Sequence, residues 1–210
     1  MQATAEFKKS IESLAGEKAP GPSTTFSMFH IFYALELMAQ KPIGRNKLAE
    51  QLGVGDGAIR TIVHHLKDAG VVVTAKAGMS LTEKGEKTWQ KFEELFPQRA
   101  EIERTELTNS PFSYAFLVKN SGDKIGTGME QRDAAIMGGA SRAIALICRD
   151  GHLIINSVSG IIEKAFPDAA RKIQRNLKID ENDVVIIAGA ETLLKAKRGA
   201  FAAAWVLVGN

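Results

Sequence analysis

The sequence predicts an α+β protein in two parts. Helices with one β-hairpin occupy residues 25–97, and a β-α-β-β-α-β series followed by a helix occupies residues 98–210. Three observations carry this reading. Within Arg45–Gly70, two short stretches repeat apolar residues at helical spacing, Leu48, Ala49 and Leu52 and then Ile59, Ile62, Val63 and Leu66. A β-rich run, Val71–Lys76, follows at once, with a turn at Ala77–Gly78 and a return strand at Met79–Thr82. The C-terminal half carries Asp150–Gly151 between two apolar runs, the strongest two-residue hairpin signal.

Taken in order, residues 1–24 are an N-terminal arm. Ala5–Leu14 places Phe7, Ile11 and Leu14 on one helical face, and a Gly/Pro/Ser cluster breaks it. Thr24 or Thr25 is placed to cap the next helix. Thr25–Gln40 is apolar nearly all round, as in a helix buried on more than one side. Either a second subunit or the N-terminal arm covers that surplus. Gly53 and Gly70 each end a helix where a left-handed residue is expected. Two helices joined by a glycine-containing turn form a helix-turn-helix. Glu83–Phe96 gives one more helix with a Trp89, Phe92, Leu95 and Phe96 stripe, and the boundary between the parts is expected at 97–108.

In the second part, strands are expected at Phe112–Lys119, Arg142–Arg149, His152–Ser157 and Asp183–Ala188, the last buried on both faces. Helices are expected at Met129–Gly138, Gly160–Leu177 and Glu191–Trp205, with Ala200–Val208 as a competing edge strand. This order is that of a ferredoxin-like split β-α-β domain.

The stretch RNKLAEQLGVGDGAIRTIVHHLKDAG, its hairpin and the closing LTEKG at Leu81–Gly85 resemble the winged helix-turn-helix domains of bacterial and archaeal transcription regulators. The segment from Gly126 to Ala140, GTGMEQRDAAIMGGA, makes the whole chain similar to an archaeal winged-helix family of unassigned function. The first resemblance implies a double-stranded DNA partner, and helices after the wing often form dimer seams in such proteins. A homodimer is therefore expected. Winged helices also serve as protein-interaction adaptors, so fold alone does not fix the role.

Composition narrows the classes further. No apolar run reaches the ~18–20 residues of a membrane span. Cys148 is the single cysteine, which excludes an internal disulfide framework and a Cys-rich zinc site and suggests a cytoplasmic setting. The net charge of +3 divides evenly, so a DNA reader must arrange its cations locally.

On the second helix of the motif the exposed set is Gly57, Arg60, Thr61 and His64, with Ala58 and His65 at the flanks. Arg60 suits a bidentate contact to guanine, Thr61 a thymine methyl or phosphate, and His64 a phosphate. Arg45, Lys47 and Lys76 are candidate phosphate contacts. Gly55, Asp56 and Gly57 depart from the Ser, Arg or Thr common at this helix start. Asp56 is read as a cap that also sets a negative charge near DNA.

The loop at Gly126 and Gly128 opens a helix carrying Glu130, Arg132 and Asp133, a candidate anion site. A second loop at Gly189 and Glu191 is placed to converge on it. Together these suggest a small anionic or zwitterionic effector, and a tight turn with a solvated helix start is the plainer alternative. The dinucleotide fingerprint fails at Gln131, and GxxxxGK[ST] does not occur, so no cofactor is expected. Adjacent His64 and His65 point about 100° apart on a helix and cannot share a metal. No catalytic set stands out. The expectation is a regulator and not an enzyme, with an adaptor, or an enzyme fused to a DNA reader, as alternatives.

Overall fold

Residues 2–16, 26–156 and 158–209 are described by a computed structural model, and the chain divides into two units between Glu93 and Glu94. The proposed caps Thr24 and Thr25 lie outside the described residues.

Unit 1 begins with α1 (Gln2–Ala15) and α2 (Met28–Gln40). Ser27 is the N-cap of α2, and its N–H donates to His30 Nδ1 at 2.8 Å. Of the two coverings considered for α2, the N-terminal arm is present. Phe7 and Ile11 of α1 are buried, and Phe7 meets Phe92 edge-on at 5.1 Å while Phe92 meets Phe32 at 5.2 Å. The apolar surplus that predicted a second subunit on α2 is thus used within the unit.

The helix-turn-helix follows as α3 (Arg45–Leu52) and α4 (Asp56–Asp68). Gly53 is left-handed (φ 66°), as the sequence requires of a C-cap. The wing is β1 (Val72–Ala75) paired antiparallel with β2 (Gly78–Leu81), and its turn falls at Lys76–Ala77, one residue earlier than expected. Ile43 bridges Met79 as a third short rung, so a Cβ at Gly78 would lie 2.8 Å from the Ile43 backbone.

The helix α5 (Glu83–Leu95) starts against the end of α4, and the LTEKG residues explain how. Thr82 Oγ1 donates to the Gly70 carbonyl at 2.7 Å and accepts from Gly85 N–H at 3.1 Å. Lys84 Nζ donates to the Ala69 carbonyl at 2.7 Å, a cation at the negative end of α4. A Cβ at Gly85 would lie 2.0 Å from the Val71 carbonyl oxygen, so only glycine permits this approach.

Unit 2 holds, among the described residues, a six-stranded antiparallel sheet. Its strands are β3 (Gln98–Ile102), β4 (Phe112–Val118), β5 (Arg142–Arg149), β6 (His152–Ile155), β7 (Val158–Ile161) and β8 (Val184–Ala190), in the order β3-β4-β8-β5-β6-β7. The split β-α-β plan is present, with β4 and β5 parallel and joined by α6 (Met129–Met137). The strand that fills the split is the last, β8, where a ferredoxin-like sheet places the third. Every residue of β8 is buried, as its apolar run predicts. One face of the sheet packs on α9 (Leu193–Val206), where Phe201 and Trp205 join Phe96 and Phe116, so Ala200–Val208 is helix and turn and no edge strand. The other face packs Ile173 and Leu177, in and just after α8 (Pro167–Asn176), against Leu117, Leu146 and Val185.

Two expectations need correction here. The single helix at Gly160–Leu177 is instead β7, a short α7 (Ile162–Ala165) and α8 (Pro167–Asn176). Pro167 lacks the N–H that would continue α7, and it serves instead as the first residue of α8. Strand β3 forms inside the stretch read as a boundary, paired with β4 from Gln98↔Leu117 to Ile102↔Ser113.

Candidate nucleic-acid interface and effector groove

The helix α4 is amphipathic, and periodicity located its outer face well. Gly57, Arg60, Thr61 and His64 are exposed and Ala58 is half-buried, while Ile59, Ile62 and Leu66 are buried. His65 differs from its expected flanking place. It is buried, with Nδ1 2.9 Å from the Leu14 carbonyl and the ring edge-on to Phe26 at 5.8 Å. Nδ1 therefore carries the proton, and α1 is fastened to the back of α4. Adjacent to it, His64 faces solvent with Nε2 3.3 Å from Asp68. Among the described residues no His, Cys, Asp and Glu group is arranged to hold a metal.

The start of α4 departs from the cap assigned to Asp56. Gly55 is the N-cap, and Asp56 is the first helical residue, where its charge favours the helix dipole. Asp56 Oδ2 lies 3.5 Å from Arg60 Nη2, one turn along. Neither Gly55 nor Gly57 is demanded by packing: each has negative φ, and a Cβ at either would meet nothing within 4 Å. Their effect is to leave open backbone on either side of the exposed Asp56 carboxylate, which is the charged group of the first turn.

A second cationic element lies in α3. Arg45 is its first residue, where the dipole disfavours a cation, and Gly44 before it offers no capping side chain. That leaves Arg45 and free backbone N–H groups together, a pairing suited to a phosphate. Lys47 is held 2.8 Å from Glu50, and Lys76 is exposed in the wing turn. Thr61 Oγ1 donates back to the Gly57 carbonyl at 3.1 Å.

In unit 2 the proposed effector residues separate. Gly128 caps α6 in left-handed geometry (φ 80°), and Asn156 pins the loop by donating to the carbonyls of Ile125 (3.0 Å) and Gly126 (2.7 Å). Glu130, Arg132 and Asp133 are exposed on α6, and both Arg132 Nε and Nη2 donate to Asp133 Oδ1 at 3.1 and 3.0 Å. The second loop is not a loop at Gly189: β8 runs through it to Ala190, paired with Ser113 and Arg142, and the Ser110 and Thr108 side chains fill the space where a Cβ would stand. Glu191 is exposed, 3.7 Å from Lys195.

Arg132 and Asp133 do line a groove of about 670 Å³, beside Leu107, Ile136, Met137, Ser141, Arg142, Ala143 and Ile144. The sequence reading missed Arg142 and the apolar floor, since strand-opening residues carry no signal of what stands across from them. Elsewhere, Lys119 Nζ reaches Asp180 and buried Asp183 at 2.5 and 2.9 Å, and these hydrogen bonds, Asp180 first, raise the ammonium above its ordinary pKa. Asp183 also accepts from the N–H groups of Asn120 and Asp180, both at 3.0 Å, so this cluster closes loops and leaves little free for chemistry. Burial pushes the Cys148 thiol up, keeping it protonated and unreactive.

The helix-turn-helix, its β-hairpin and the exposed outer face of α4 define a winged helix-turn-helix protein with an antiparallel α+β domain following it. Comparison with known proteins agrees. Residues 27–96 match the family described as the CggR N-terminal DNA binding domain, and residues 109–207 match a domain of unknown function (DUF4443). The chain is 32% identical over 96 residues to the Central glycolytic genes regulator of Priestia megaterium (strain DSM 319 / IMG 1521). That match takes in 45% of this chain and 28% of the regulator, so the chain spans little more than a quarter of that relative. Among solved structures, a hypothetical protein from Pyrococcus horikoshii OT3 superposes with a TM-score of 0.72 at 26% identity, over 87% of this chain and 92% of that one. The N-terminal unit is therefore similar to winged-helix DNA-binding domains of transcription regulators.

Proposed function

We propose that the protein is a DNA-binding transcriptional regulator acting as a homodimer, with unit 1 reading double-stranded DNA and unit 2 sensing a small anionic or zwitterionic effector. The observation that carries the reading is the outer face of α4. Arg60, Thr61 and His64 stand exposed on one face of α4, in the domain that matches a DNA-binding family. With α4 in the major groove, Arg60 and Thr61 meet base edges, and Arg45, Lys47, His64 and Lys76 meet phosphates. Two chains related by a two-fold axis would set two α4 helices on successive turns of the duplex. Action on the nucleoid, inside the cell, is part of the same proposal. Among the described residues no helix is long and apolar enough to cross a membrane.

One observation favours the adaptor reading. Arg60 and His64 each already face a carboxylate, Asp56 and Asp68. Fluorescence anisotropy with a library of genomic duplexes decides between them. Tight, sequence-selective binding that Arg60→Ala weakens by about 1–3 kcal/mol supports the regulator. Equal, weak binding to every duplex with or without Arg60 makes α4 a protein-contact surface.

A further inference from the structure

We infer that the groove between α6 and the start of β5 binds a small amphipathic carboxylate, an apolar body carrying one negative charge. This rests on the reading of unit 2 as an effector domain. The groove's volume of about 670 Å³ is typical of small-molecule sites, which pair an apolar lining with a few placed polar groups.

Three features set the ligand's chemistry. The apolar side that serves as its floor is open to solvent: Ile136 is 44% and Met137 89% exposed, two of the five large apolar side chains standing exposed among the described residues. A methionine there is unbranched and polarisable, and adapts to an apolar body of varied shape. Arg142 at the rim is exposed and has no side-chain hydrogen bond or ion pair among the described residues. Its planar fork matches a carboxylate through two parallel N–H···O bonds. The third feature is the count of charge. Arg132 and Arg142 oppose one carboxylate, Asp133, and Arg132 is already turned onto it. One positive charge is left for the ligand, and Asp133 repels anything more highly charged. A polyphosphate or free sugar would leave the floor uncovered, whereas an apolar carboxylate satisfies floor and rim together.

The probe is octanoate, with acetate and 1-octanol as comparators, titrated into the full chain carrying 13C-labelled methionine methyls. Octanoate should shift the Met137 methyl saturably, acetate should not, and 1-octanol should bind at least tenfold more weakly. Arg142→Gln should weaken octanoate ten- to hundredfold, the worth of a charge-assisted hydrogen bond. It should also abolish the preference over 1-octanol. Melting curves confirm that the variant is folded. A Met137 signal unmoved by octanoate overturns the proposal, as does an affinity that Arg142→Gln leaves intact. Light scattering adds a third way to overturn it: a chain already paired, which Met137→Glu dissociates, makes the groove a self-association face and removes the ligand. DNA anisotropy on the same samples keeps the two readings apart. DNA binding without an octanoate response sinks the groove alone, and the reverse sinks the regulator alone.

Discussion

Asp56→Asn keeps the shape of the side chain that opens α4 and removes its charge, and its two effects should have opposite signs. Asp56 Oδ2 and Arg60 Nη2 are 3.5 Å apart, with both side chains mostly exposed (74% and 65%). At that exposure the attraction is at most about 1 kcal/mol before screening, and helix pairs one turn apart measure ~0.3–0.5 kcal/mol. Releasing Arg60 returns that amount to a DNA contact. If the start of α4 meets the duplex as proposed, removing its carboxylate also lifts a repulsion of about 0.5 kcal/mol against a phosphate roughly 7 Å away in water. Together the gain is about 1 kcal/mol, or roughly fivefold in affinity. Stability should fall instead, by ~0.3–1 kcal/mol, since a negative charge in the first turn is lost from the positive end of the helix. Anisotropy at fixed, moderate salt measures the first effect and urea unfolding the second. Weaker binding by the variant would refute the reasoning and mean that Asp56 itself accepts from a base, as from a cytosine amine.

Other substitutions probe the remaining elements. Gly57→Ala should stabilise unit 1 by about 0.8–1.0 kcal/mol, since the site is open and helical, yet weaken DNA binding by keeping the backbone away from the duplex; a variant that gains in both shows that α4 does not approach so closely. Lys76→Ala should weaken binding to all duplexes alike and reduce the salt slope by about one, read from affinities across a salt series. Asp183→Ala should cost about 2–5 kcal/mol in urea unfolding of unit 2, because it strands the Asn120 and Asp180 N–H groups and takes a partner from Lys119; a loss under about 1 kcal/mol refutes the clasp. The raised pKa of Lys119 means its contribution is complete below about pH 10.4 and lost as pH rises through the higher folded value; denaturant midpoints should therefore fall in strongly alkaline buffer, and less so in Lys119→Met.

The helix-turn-helix and wing were legible because their punctuation is local: Gly53 and Gly70 adopt the left-handed turns that glycine allows, and Thr82–Gly85 cap two helices at once. The outer face of α4 followed from spacing alone. What failed depends on distant partners. His65 looked like a flank because its carbonyl partner, Leu14, lies 51 residues earlier. Gly189 looked like a loop because the Thr108 and Ser110 side chains that need its bare backbone come from another stretch. β3, reading QRAEI, has no strand pattern of its own and is held in place by β4. The break at Pro167 was readable, and the apolar spacing across it obscured the signal.

The place of β8 bears on how the chain is made. It lies between β4 and β5, yet it is the last of these six strands to leave the ribosome. Until residues 184–190 emerge, β4 and β5 each expose an unpaired, largely apolar edge. Unit 1 draws on residues before 94 and can be complete while unit 2 waits. A nascent or truncated chain ending short of β8 would thus carry a finished winged-helix unit on an unfinished, sticky sheet. Such fragments should be cleared by chaperones and proteases rather than persist as free winged-helix units.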